Sequence, residues 1–161
     1  MRISTVVTMR GGCRDAIKFY QDVFGAELRD KITFGEASEL KPLMREELKE
    51  CIYHAELLIG HGGKELSIVF ADSPAILFAS SLATATSGQE QVIAAAAPQT
   101  GTQDNIQFEI EDEDGEWLRE IFGKLSTGGG KLNYDLQAKE PYRLFGSLID
   151  RFGICWTMIQ R

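Results

Sequence analysis

Cysteine is scarce in this chain. The three present, Cys13, Cys51 and Cys155, are odd in number and far apart. That fits neither a disulfide framework nor a paired Cys-x-x-Cys metal knuckle, and reads as reduced thiols of a cytoplasmic protein. Long apolar runs are missing too: no stretch of about 18 apolar residues exists to span a bilayer. Met1–Val7 has no apolar run after its one basic residue, and is expected to be a strand rather than a signal peptide. Positive charge is in deficit, with 17 Lys and Arg against 24 Asp and Glu, a net charge of −7. Such a surface repels phosphate backbones and anionic lipid, so neither a nucleic-acid nor a membrane partner is expected.

What is present is ordinary globular composition, 43% hydrophobic and 25% charged over 161 residues, enough for one compact domain or two small repeated halves. Residues 3–9 are β-branched and end at Gly11-Gly12, a strand signal. Residues 14–24 place Ile17, Tyr20, Val23 and Phe24 on one helical face, with Gly25 where a helix end needs a left-handed residue. Strands are predicted at 27–34, 51–59 and 65–71, with a short charged helix from Pro42 to Glu50 between the first two. Residues 73–104, rich in Ala, Ser, Thr and Gln, read as a connector in which 89–97 could form two helical turns. A strand is then predicted at 105–111, a helix at 115–125 with Trp117, Leu118, Ile121, Phe122 and Leu125 inward, and strands near 131–137, 143–149 and 154–160. The acidic run Glu111–Asp114 suits the start of that second helix.

The sequence repeats itself. Phe19-Tyr20-x-x-Val23-Phe24-Gly25 matches Trp117-Leu118-x-x-Ile121-Phe122-Gly123, and each copy is preceded by one strand and followed by three. One helix covers one face of a four-stranded sheet and leaves the other face free. The reading is an α+β chain of two βαβββ modules, residues 1–72 and 105–161, joined by 73–104 and sharing a cleft.

These residues resemble a known group. Ala16-Ile17-x-Phe19-Tyr20-x-x-Val23-Phe24-Gly25-Ala26-Glu27 is similar to the opening helix of the vicinal oxygen chelate superfamily, which includes glyoxalase I, extradiol dioxygenases and bleomycin resistance proteins. His54-Ala55-Glu56-Leu57, Lys124-Leu125-Ser126 and Gly146-Ser147-Leu148-x-Asp150-Arg151-Phe152-Gly153-x-x-Trp156 resemble its PhnB-like branch, also labelled 3-demethylubiquinone-9 3-methyltransferase-like. The resemblance covers the chain apart from 73–104. It implies the glyoxalase-like fold, a homodimer and a cleft that takes a small organic molecule. The methyltransferase label finds no support in the residues. Gly128-Gly129-Gly130 follows a helix and precedes a strand, the wrong context for a loop that holds S-adenosylmethionine.

Enzymes of the superfamily hold a divalent metal on His and Glu side chains of four central strands. The resemblance maps those positions onto Thr5, Asn105, Thr157 and either Ser67 or Val69. Neutral hydroxyls and amides are weak ligands beside imidazole and carboxylate, so no metal and no other cofactor is expected. Strand alternation puts His54 with Glu56, and Gln107 with Glu109, opposite the core-facing residues. Thr5, His54, Glu56, Asn105, Gln107, Glu109 and Thr157 are therefore the candidate ligand-binding residues of a cytoplasmic small-molecule-binding protein. The alternative is a metal-dependent lyase or oxygenase with a displaced site on His54, Glu56 and Glu109. His61, in a glycine-rich turn, is expected at the surface. Cys155 shares the parity of Thr157, Trp156 and Met158 are expected in the core, and Asp150 with Gly153 is expected to turn the chain between the last two strands.

Overall fold

A computed structural model of the chain describes residues 4–37, 45–77 and 107–161. It divides into two compact units, Met1–Gln99 and Thr100–Arg161. The first contains β1 (Thr5–Met9), α1 (Cys13–Phe24), β2 (Glu27–Thr33), β3 (Ile52–His61) and β4 (Lys64–Asp72). The second repeats the order with β5 (Gln107–Glu111), α2 (Gly115–Ser126), β6 (Lys131–Lys139), β7 (Tyr142–Ile149) and β8 (Cys155–Gln160). Each unit is βαβββ, with strand orders β1-β4-β3-β2 and β5-β8-β7-β6. The first and last strands of each sheet run parallel, and the other neighbours are antiparallel.

The helices form where the apolar spacing predicts them. On α1, Ala16, Ile17, Tyr20, Val23 and Phe24 are buried, a stripe at intervals of three to four residues. Gly25 ends the helix at φ 63°, the left-handed conformation that glycine adopts without strain. The stripe packs on one face of the sheet, where Tyr20 stacks on Phe70 with ring centroids 5.2 Å apart. On α2, Leu118, Ile121, Phe122 and Leu125 are buried as expected, while Trp117 is only half-buried. Behind α2 the sheet presents Phe108, stacked on Trp156 at 4.9 Å, with Leu148 and Met158 fully buried.

The two helix starts are capped differently. Asp114 caps α2 locally, its Oδ1 accepting from the Glu116 and Trp117 amides at 3.1 and 3.0 Å. Residue Gly12 at the start of α1 has no side chain to do this. Asp72, at the far end of β4, accepts there instead: its Oδ1 takes the Cys13 N–H at 3.3 Å and its Oδ2 the Ile52 N–H at 2.8 Å. One buried carboxylate thus joins α1, β3 and β4. At the matching end of β8, Gln160 donates its side-chain amide to the Glu113 carbonyl at 2.6 Å, a neutral version of the same tie.

One local expectation changes. The helix expected from Pro42 to Glu50 is, among the described residues, a single 3-10 turn at Glu46–Leu48. In the described part, residues 45–50, Leu48 is the one apolar side chain, too little to stabilise a longer helix against its charged neighbours. The possible helix at 89–97 lies outside the described residues, as does most of the connector. The Gly128–Gly130 segment turns the chain between α2 and β6 with φ of 81° and 108° at its first two glycines, as its place in the sequence suggests.

Gly146 marks the closest approach of sheet and helix in the second unit. A Cβ there would sit 2.9 Å from the Phe122 ring and 2.9 Å from the Leu136 backbone. Gly146→Ala is expected to cost about 1–3 kcal/mol of stability by overpacking, read as a lower urea midpoint. An unchanged midpoint would mean that β6 yields freely at this point.

Candidate functional site

The sheet faces turned away from the helices carry the polar residues. In the first unit, Ala55, Leu57 and Ile59 of β3 are buried under α1. The intervening residues project the other way, so His54 and Glu56 share the helix-distal face. The register pairs His54 with Ile32, Glu56 with Asp30 on one side and Val69 on the other, and Leu58 with Ser67. His54 Nε2 lies 3.9 Å from Asp30 Oδ2. The Ser67 hydroxyl donates to Glu56. Asp30 was not singled out by the sequence, because β2 carries a register shift between Leu28 and Asp30 that breaks its alternation.

Thr5 does not join this group. It pairs with Ile68, so it takes the α1 side of the sheet with Val7 and Met9; Val6 and Thr8 occupy the helix-distal side. The resemblance aligns Thr5 with a cleft-facing histidine, but pairing in the parallel β1–β4 ladder sets the face, and a shift of one residue reverses it. Asn105 lies outside the described residues.

In the second unit three candidates do come together. Gln107 pairs with Cys155 and Glu109 with Thr157, and Thr157 pairs onward with Ser147, which pairs with Tyr134. Glu109, Thr157, Ser147 and Tyr134 form one row across all four strands on the helix-distal face. The two central hydroxyl residues are buried, Thr157 at 6% and Ser147 at 9% exposure. The Cys155 thiol points to Gln107 Oε1 at 3.8 Å. Next to this row sits an aromatic cluster that the sequence did not reveal: Tyr134 and Phe145 meet edge to face at 5.9 Å, and Tyr142 stacks on Phe145 at 5.8 Å.

The polar groups on these faces suit hydrogen bonding better than nucleophilic or metal chemistry. Burial is the main cause that pushes the Cys13 and Cys51 thiols up, with Asp72 adding to it, so neither favours a reactive thiolate. Ser67 and Val69 do share the helix-distal face with Glu56, and Thr157 lies on that of its own unit. Their donors are hydroxyls at best, and Thr5 faces the other way, so these positions do not fit a divalent metal. Among the described residues no group of three or more His, Cys, Asp or Glu side chains is placed to hold one. The turn at Asp150 is as expected: its Oδ1 accepts from the Phe152 and Ile154 amides at 2.9 and 3.0 Å, and its Oδ2 from the Trp156 indole at 2.8 Å. Trp156 and Met158 are in the core.

Comparison with known proteins places the fold. No family model matches the chain. The chain is 23% identical over 159 residues to protein YjdN of Escherichia coli strain K12, covering 98% of this chain and 94% of that protein. Among solved structures, protein PA1353 from Pseudomonas aeruginosa is similar with a TM-score of 0.69, 18% identity and coverage of 100% and 98%. A PhnB protein from Bacillus cereus is similar with a TM-score of 0.65 and 17% identity, over all of both chains. A glyoxalase/bleomycin resistance protein/dioxygenase family enzyme from Burkholderia phytofirmans PsJN is similar with a TM-score of 0.53, 13% identity and coverage of 98% and 95%. The chain has the two-module, glyoxalase-like α+β fold of these proteins. No helix among the described residues is long and apolar enough to cross a membrane.

Proposed function

We propose that the chain is a small-molecule-binding protein that uses its helix-distal sheet faces without the superfamily's metal, working as a cytoplasmic homodimer. The observation that carries this is the row Glu109–Thr157–Ser147–Tyr134, whose central hydroxyls are buried on the face away from α2. Polar side chains on a merely solvated face would be open to water; these sit where a ligand's hydroxyl or carbonyl would find partners in a low-dielectric setting. His54 and Glu56, with Asp30 and Ser67 beside them, offer a second polar set in the first unit. The likeness to the fold of a bleomycin resistance/dioxygenase family enzyme supports a ligand-holding role.

The test is amide-shift mapping of the full chain against a library of small organic acids, alcohols and heteroaromatics. Shifts are expected at Thr157, Ser147 and Glu109, or at His54 and Glu56. Shifts confined to other parts of the chain would overturn the reading. His54, with 37% of its side chain exposed, gives a second check. His54→Ala is expected to change stability by less than about 0.5 kcal/mol while weakening any compound that shifts the first-unit face. A large drop in melting temperature with unchanged binding would remove His54 from the site. Stoichiometric Zn, Ni, Fe or Mn in the purified protein, by elemental analysis, would replace this reading with the metal-dependent lyase or oxygenase.

A further inference from the structure

The helix-distal face of the second unit holds a cation directly over two of its aromatic rings. Lys139, the last residue of β6, curls its ammonium over two rings at once, 4.5 Å from the centroid of Tyr134 and 4.6 Å from that of Phe145. Among the described residues it has no carboxylate within ion-pair distance. The other cation of the cluster is differently placed. Arg161 lies 5.6 Å over the Tyr142 ring, but its Nε is paired with Glu111 at 2.8 Å, so its charge is spent locally. Glu109 lies one pair along from Glu111 on β5, in the row of Thr157. In a chain of net charge −7, the rings hold this ammonium in place at the edge of an aromatic platform. Tyr134 is 55% exposed, so the platform is accessible.

Each feature selects for a ligand property. The row Tyr134–Phe145–Tyr142 offers ring edges and faces to a planar aromatic group, which prefers offset or edge-to-face contact. The two rings already share one cation, so a ligand cation would have to expel Lys139 from them. An anion would instead gain a charge-assisted hydrogen bond from an ammonium whose position is already fixed. Ser147 and Thr157, in the adjoining positions of the same face, can receive a ring hydroxyl or carbonyl.

We propose that this face is a subsite for a planar aromatic carboxylate, its ring against Tyr134 and Phe145 and its carboxylate on Lys139. This rests on the small-molecule reading above and names the class of molecule.

The probes are 1-naphthoate, its neutral isostere 1-naphthamide, and benzyltrimethylammonium, each titrated into the full chain by calorimetry and amide-shift mapping. 1-Naphthoate is expected to bind most tightly, with shifts at Tyr134, Phe145 and Ser147. Lys139→Met is expected to weaken it about tenfold, the loss of one charge-assisted contact, and to abolish its advantage over 1-naphthamide. Lys139→Arg should retain most of the affinity. Because Lys139 is exposed, neither variant is expected to disturb folding. Equal binding of acid and amide, unchanged affinity in Lys139→Met, or preference for benzyltrimethylammonium would overturn the proposal. If 1-naphthoate fails while a library compound shifts Thr157 and Ser147, only the aromatic-carboxylate assignment falls. If nothing shifts either sheet face, the small-molecule reading falls with it.

Discussion

Asp150→Ala is expected to lower the unfolding free energy by about 3–5 kcal/mol, and the melting temperature by roughly 10 °C. The carboxylate is 3% exposed and accepts three hydrogen bonds, from two turn amides and the Trp156 indole. Alanine would leave three donors without their acceptor, and a buried donor left unpaired costs about 1–3 kcal/mol. The indole matters most, because Trp156 is 1% exposed and water cannot replace the carboxylate there. Measured alone, the variant does not separate the turn from the indole. Trp156→Phe removes the N–H donor together with part of the ring volume, and the double-mutant cycle with Asp150→Ala, which subtracts the packing loss, should show a coupling of about 1–2 kcal/mol. Additive losses would mean that Asp150 acts through the turn alone.

The second large effect is expected at Asp72. Asp72→Ala removes the acceptor shared by the Cys13 and Ile52 amides and should cost about 2–4 kcal/mol, seen as a lower denaturant midpoint. Its pH dependence has a definite sign. Burial raises the Asp72 carboxyl above its ordinary value; hydrogen bonds from Ile52, Cys13 and Gly11 and the charge of Arg14 oppose this without cancelling it. A carboxyl whose folded value is raised contributes most below the ordinary carboxylate range, and that contribution is lost as pH rises through the folded value. Relative to the non-titrating Asp72→Asn variant, the native chain should therefore lose stability as pH climbs from about 4. A difference that grows with pH would show that the amide donors outweigh burial. Burial and hydrogen bonding thus oppose one another at this carboxyl, which supplies the acceptor that Gly12 cannot offer α1 from its own position.

The repeat was legible because it rests on apolar spacing. Two helices with the same stripe, each between one strand and three, led to both βαβββ units, and parity along β3, β5 and β8 placed His54, Glu56, Gln107, Glu109 and Thr157 on the faces they occupy. Thr5 was placed wrongly for an identifiable reason. Thr5-Val6-Val7-Thr8 has no polar–apolar alternation from which to read a face, so the β1–β4 register decided it. The Lys139 cluster was illegible for a different reason. β6 shifts register at three places, between Leu132, Tyr134, Gln137 and Lys139, so counting by twos from any residue loses the face before the strand ends. Trp117 kept its place in the helical pattern but stands at the margin of the stripe, where helical spacing alone does not distinguish full from partial burial.

Those same irregularities govern what the sheet margin can do. β6 is the outermost strand on its side of the second sheet, and an outermost strand exposes backbone donors and acceptors to any passing chain. Its repeated shifts, together with Lys131, Asp135 and Lys139 along its length, deny an incoming strand the straight, uncharged ladder that fibril growth copies. Straightening β6 into a regular strand would remove that protection.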